Sequence, residues 1–70
     1  MDKYLEAMEF STKVFERLMK AHPERASVWK RSYRDEMSGI VSVAIYDNNI
    51  TVEEYQELVR MKGEKTDDLI

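Results

Sequence analysis

Apolar residues recur every three or four positions from Asp2 to about Ala21: Tyr4, Leu5, Met8, Phe15, Leu18 and Met19, with Thr12 in line between them. At 100° per residue they share one face of a helix, and Glu6, Glu9, Lys13, Glu16 and Lys20 fall opposite. Asp2 and Glu6 stand near the positive end of that helix, and Arg17 and Lys20 near the negative end, as the macrodipole favours. Phe10 does not fit the face. With Ala7 and Val14 it forms a second, shorter stripe bordered by Lys3 and Arg17. An aromatic there either covers the edge of the core or anchors a partner, so Phe10, Val14 and Arg17 are candidate partner-binding residues.

His22-Pro23 ends this helix, because proline disfavours helical geometry in the residue before it yet suits the first turn of a new helix. The short connection predicts a second helix over 23–47, folded back antiparallel on the first. Ala26, Trp29, Tyr33, Met37, Ile40, Val41 and Ala44 give it an apolar face. Ile40–Tyr46 also reads as a strand, being β-branched with Val41, Val43 and Ile45 on one face. No second strand candidate exists in the chain, so only pairing across a dimer would satisfy that strand, and helix is preferred, with a bend at Gly39. The apolar arc is narrow around Trp29–Tyr33 and broad across Met37–Ile45. One facing helix cannot cover the broad half.

Asp47-Asn48-Asn49 is a turn cluster. Thr51-Val52-Glu53-Glu54 then has the form of a capping box, with Ile50 and Tyr55 placed as a hydrophobic staple. Val52, Tyr55, Leu58 and Val59 form a stripe down to Lys62, and Gly63 is the expected stop. The chain is therefore expected to be all-α: an antiparallel helical hairpin, about 2–21 and 23–47, with a short third helix at about 52–62. Residues 1–63 form the single domain, and 64–70 a flexible tail in which Leu69 and Ile70 could dock.

Composition narrows the chemistry. Seventy residues permit one domain with a modest core, near the size at which chains often dimerise. A content of 43% hydrophobic and 36% charged residues suits a folded chain. With no cysteine, disulfides, thiolate nucleophiles and cysteine-bound zinc are excluded. A net charge of −3, with acids and bases interspersed, makes nucleic acid an unfavoured partner. The first twenty residues carry a charge every few positions, so neither a signal peptide nor a membrane span is expected, and the location expected is cytoplasmic.

Catalytic, metal and cofactor sites are all expected to be absent. His22 is the one histidine and sits beside a proline, which suits a turn better than a triad or a metal site. Ile50 and Glu54 stand four apart, as in the second half of an EF-hand loop. Counting back, however, places Val43 and Ile45 where acidic ligands are required. Glu53 and Glu57 are one turn apart, with no Glu-x-x-His motif to complete a metal site. Glycines at 39 and 63 alone cannot build a phosphate loop. The five methionines at helical spacing fit gap-filling core.

The remaining feature is Trp29-Lys30-Arg31-Ser32-Tyr33-Arg34, where Lys30, Arg31 and Arg34 share one side of the helix beside core Trp29 and Tyr33. They are either a basic platform for an acidic partner or solvating charges, with Arg31 paired to Asp35 one turn on. Two functions follow as expectations. One is a non-enzymatic protein-interaction module, an inhibitor or adaptor, of the general make-up of small regulatory proteins of phages and mobile elements. The other is a homodimeric regulatory protein that pairs through Ile40, Val41, Val43 and Ile45 and touches nucleic acid weakly through the basic face.

Overall fold

A computed structural model describes residues 1–69. The elements run α1 (Asp2–Ala21), a 3₁₀ turn (Pro23–Arg25), α2 (Ala26–Ala44), α3 (Val52–Thr66) and a second 3₁₀ turn (Asp67–Leu69). Among the described residues there is no strand, so the Ile40–Tyr46 stretch is helix through Ala44 and turn beyond it. The hairpin register is antiparallel: Tyr4 meets Asp47, Thr12 meets Tyr33, and His22 meets Trp29.

The hairpin turn is held by main chain and one indole. His22 N–H donates to Leu18 O at 2.8 Å, and Trp29 Nε1 donates to His22 O at 3.0 Å. The Arg25 guanidinium lies 5.6 Å from the Trp29 ring centre, a cation–π contact. Pro23 does begin a helical turn, but a 3₁₀ one, so α2 starts at Ala26 rather than at 23. Its end also comes early. Tyr46 N–H and Asp47 N–H donate to Val43 O and Ala44 O, three residues back, and this tightening closes the helix at Ala44 instead of 47.

Seven apolar side chains form the buried core: Tyr4 and Met8 of α1, Tyr33, Met37, Val41 and Ala44 of α2, and Leu58 of α3. Leu5, Phe15, Ile40, Ile50, Tyr55 and Leu69 pack at its edge. Phe15 stacks on Tyr33 with ring centres 4.5 Å apart and planes 11° from parallel. The Thr12 hydroxyl donates to Met8 O at 2.8 Å, which commits its only proton. The 2.7 Å contact between Thr12 Oγ1 and Tyr33 Oη is therefore donated by the tyrosine.

α3 begins as its sequence predicts. Glu54 N–H donates to Thr51 Oγ1 at 3.1 Å and Thr51 N–H to Glu54 Oε1 at 3.0 Å, both arms of the capping box. The bond from Thr51 N–H holds the Glu54 carboxyl below its usual range. The expected stripe is only half used, because Leu58 is buried and Tyr55 half-buried while Val52 is 68% exposed and Val59 is also exposed. α3 meets the hairpin along one narrow line, so residues 100° or more from Leu58 face outward.

Nor does α3 stop at Gly63. Arg60 pairs with both Glu57 and Glu64, spanning that glycine, and the Thr66 hydroxyl donates to Lys62 O at 2.8 Å. Residues 64–66 thus belong to the helix, and Leu69 packs on the core. The expected docking of Ile70 falls outside the described residues.

The result is a slab, 41 × 20 × 15 Å, with a Cα radius of gyration of 12.7 Å. A compact chain of this length would have a radius of about 11 Å. Its accessible surface is 5197 Å², against about 4,600 Å² for a typical folded monomer of this mass. α3 covers one flank of α2 and leaves the other open.

Because Gly63 has a negative φ and a Cβ there would sit 3.6 Å from Asp67 Oδ2, an ordinary contact, alanine fits without strain. Gly63→Ala should stabilise the fold by about 0.5–1 kcal/mol. The melting temperature followed by circular dichroism should rise by roughly 2–8 °C. No rise would place the true end of α3 at residue 63.

Candidate functional site

On the open flank, α1 and α2 enclose a groove of about 720 Å³. α1 contributes Lys3, Tyr4, Ala7, Phe10 and Ser11, and α2 contributes Glu36, Gly39, Ile40 and Val43. Apart from Tyr4, which belongs to the core, these residues project 60–160° to the same side of the Met8 and Met37 line on both helices, whereas α3 lies against the other side of α2. The walls are apolar, with Lys3 near one end and Glu36 further along. Phe10 is 69% exposed and Val43 63% exposed, so these two side chains stand free above a floor of small residues. Ser11 is buried, and beyond its own stretch of helix no described atom lies within 4 Å of where a Gly39 Cβ would be.

The candidate residues divide between three places. Phe10 lies in the groove, and half-buried Val14 lines a small extension of it that also holds Ser11, Glu36 and Trp29. Arg17 is exposed on the same helix and lines neither. Of the four residues expected to pair two chains, Ile40 and Val43 are in the groove. Val41 is only 6% exposed and belongs to the core, and Ile45 lies on the opposite flank beside Ile50, Val52 and Tyr55. The reason is helical period: Val41 and Val43 are 200° apart on a helix, and share a face only on a strand.

Lys30, Arg31 and Arg34 border a separate cleft of about 540 Å³ with Ala26, Ser27 and Leu69, on the side of the C-terminal turn. Lys30 is half-buried, and Arg31 and Arg34 are exposed. None of the three lies within ion-pair distance of an acidic side chain among the described residues, so the Arg31–Asp35 pair does not form. The structure therefore separates this basic face from Phe10 and Val14. Sequence reasoning placed Ala7 in the Phe10 stripe and Gly39 at a bend without assigning either to a site, and it missed Ser11. Their common signal, small side chains on positions flanking the core stripe, is weak until the two helices are placed together.

It also missed the cluster at the end of the groove. Asp47, whose side chain is only 12% exposed, accepts a 2.6 Å hydrogen bond from the Tyr4 hydroxyl and lies 3.2 Å from Lys3 Nζ. Its other oxygen accepts the Asn49 N–H at 2.9 Å, forming an Asx turn. These contacts, the Tyr4 bond foremost, lower the Asp47 carboxyl to about 2. The same partnership raises the Tyr4 hydroxyl and the Lys3 ammonium above their usual values. Thus one carboxylate ties the start of α1 to the loop between α2 and α3. His22 Nδ1 stands 3.3 Å from Glu24 at the exposed hairpin turn. Among the described residues no group of three His, Asp or Glu side chains could hold a metal ion, and no helix is long and apolar enough to cross a membrane.

The Asp47 cluster has a definite acid signature. Its carboxyl is lower in the folded chain than in the unfolded one, near 3.9 for an ordinary aspartate. Its stabilisation is therefore complete above about pH 4 and is lost as pH falls towards about 2. Asp47→Asn should lower the melting temperature at pH 7 and flatten the loss of stability between pH 4 and 2. Equal acid slopes in variant and parent would show that Asp47 does not carry this dependence. Tyr4→Phe should raise the Asp47 carboxyl, as read by carbon-detected NMR titration. No protein-family model, curated protein or solved structure matches the chain.

Proposed function

We propose that this chain is a non-enzymatic protein-interaction module, an inhibitor or adaptor, whose docking surface is the groove between α1 and α2. The observation that carries this is the pairing of Phe10 and Val43, both free of the core, above an apolar floor. Exposed side chains of this size cost solubility and contribute little to the fold where they stand, so two of them on the rim of one apolar groove support a binding face. Aromatics in such positions are the usual anchors of interfaces. A groove between two helices, apolar with a cation and an anion along it, suits the apolar stripe of another helix.

The non-enzymatic part rests on side-chain inventory. The one histidine lies at the far turn against Glu24, and the largely buried carboxylate of Asp47 is occupied by three donors. Neither is placed to move a proton on a ligand in the groove.

A photo-crosslinking amino acid at position 43, in the groove, should yield discrete protein adducts in expressing cells. The same probe at Gln56, exposed on α3, should not. Phe10→Ala should remove the adducts at 43 while shifting the melting temperature by less than about 2 °C, since little of its ring is buried. Equal labelling from both positions, or a large fall in melting temperature, would overturn the assignment.

A further inference from the structure

We infer that the occupant of the groove is a second copy of this chain, laid groove to groove with its helices reversed about a two-fold axis that crosses near Ala7. This names the partner of the docking face proposed above and rests on that proposal.

Three observations converge on it. The first is the missing layer. The molecule is 15 Å thick in its thinnest direction and exposes 5197 Å², about 600 Å² more than a typical folded monomer of its mass. That excess approaches the roughly 800 Å² per partner of a standard interface. Two stacked hairpins make a four-helix arrangement, a stable way to close such a face.

The second is Gly39. It lies inside α2 with negative φ, and none of the described residues occupies the space its Cβ would take. Glycine inside a helix costs about 0.5–1 kcal/mol relative to alanine, and no contact within the chain calls for it. A second backbone passing close over the groove does call for it, and Ala7 and Ser11 opposite leave room for the same approach.

The third is the arrangement of charge and bulk along the groove, which complements itself. Glu36 stands about level with Ser11, from the register that sets Tyr4 against Asp47 and Thr12 against Tyr33. Lys3 and Ser11 lie four residues to either side of Ala7, about 6 Å along the axis each way. Reversal about Ala7 therefore brings Lys3 of each copy level with Glu36 of the other. Glu36 has no cation within ion-pair distance in its own chain among the described residues, and the Lys3 ammonium, one donor towards Asp47, keeps two more. The same reversal sets Phe10, three residues beyond Ala7, against Val43, which lies beside Lys3 and Tyr4 at the other end. A two-fold axis parallel to the helices would instead set Lys3 level with Lys3 and Phe10 with Phe10. Charge favours the reversed arrangement.

The absence of native cysteine makes the test direct, because any disulfide in a single-cysteine variant must join two copies. Ala7→Cys sits at the axis, where two Cα atoms can reach the 4.4–6.8 Å that a disulfide needs. Under mild oxidation it should give covalent dimer at least about tenfold faster than Glu53→Cys, exposed on α3. Sedimentation velocity over a micromolar to millimolar range should show wild-type dimer. Gly39→Leu should keep full helix content, because the space is open in the single chain, yet weaken association at least tenfold. Glu36→Lys should weaken it as well. A folded wild-type chain that stays monomeric throughout overturns the second-copy occupant, and persisting adducts to other proteins from position 43 would leave the docking face itself standing. Dimer that forms with Ala7→Cys no faster than Glu53→Cys, or that tolerates Gly39→Leu, overturns this interface. Loss of both dimer and position-43 adducts removes the docking face too.

Discussion

Met8, Met37 and Leu58, one from each helix, are the three large side chains closed off completely from water. Their meeting point governs the rest of the structure. α2 supplies four of the seven core residues, so it is the shared member, with α1 along one side and α3 along part of another. Methionine tolerates the irregular gap such a junction leaves, because its unbranched, polarisable side chain adapts to its neighbours. Three helices arranged around one such line form a slab instead of a closed bundle. The open groove is the direct geometric outcome of α3 taking one flank of α2 and none of the described residues taking the other.

Much of this was legible residue by residue. The 3.6-residue period located α1, and the Thr51–Glu54 pattern located the start of α3, because both signals are local and need no knowledge of neighbours. Errors arose where tertiary contacts decide. Gly63 resembles a stop, but ion pairs through Arg60 and the burial of Thr66 carry the helix past it. Val52 and Val59 resemble core until α3 is seen to touch α2 along a single line. Phe10 was distinguishable as off-face from the sequence. That Val43 stands free with it, while Val41 turns inward, depends on the rotation of α2 about its axis, which packing alone sets. Asp47 read as a turn former because its two most distant partners, Tyr4 and Lys3, lie more than forty residues away.

The groove and the Asp47 cluster are not independent features. Tyr4 is at once core, groove wall and hydrogen-bond donor to Asp47, and Lys3 is both groove rim and ion-pair partner. One end of the groove is therefore fixed by a network that also sets the chain's path between α2 and α3. The other end, at Val14 and Trp29, is fixed by the hairpin turn. A surface pinned at both ends presents its apolar middle in one conformation, which lowers the entropic cost of binding. The basic side chains of α2 lie round the helix from it, beside Leu69.

The helices also differ in where their beginnings are satisfied. α3 carries its own capping box, complete within four residues. α1 has Met1 at its cap and no side-chain hydrogen bond there, with only Asp2 as local anion. The carboxylate gathered at its first turn is that of Asp47, brought by the tertiary fold. α3 is thus self-starting, whereas the first turn of α1 leans on a residue more than forty positions further along the chain. Until the loop after α2 has come back to the start of α1, Asp47 is not there to meet Tyr4 and Lys3, so this end of α1 settles only after the hairpin and that loop are in place.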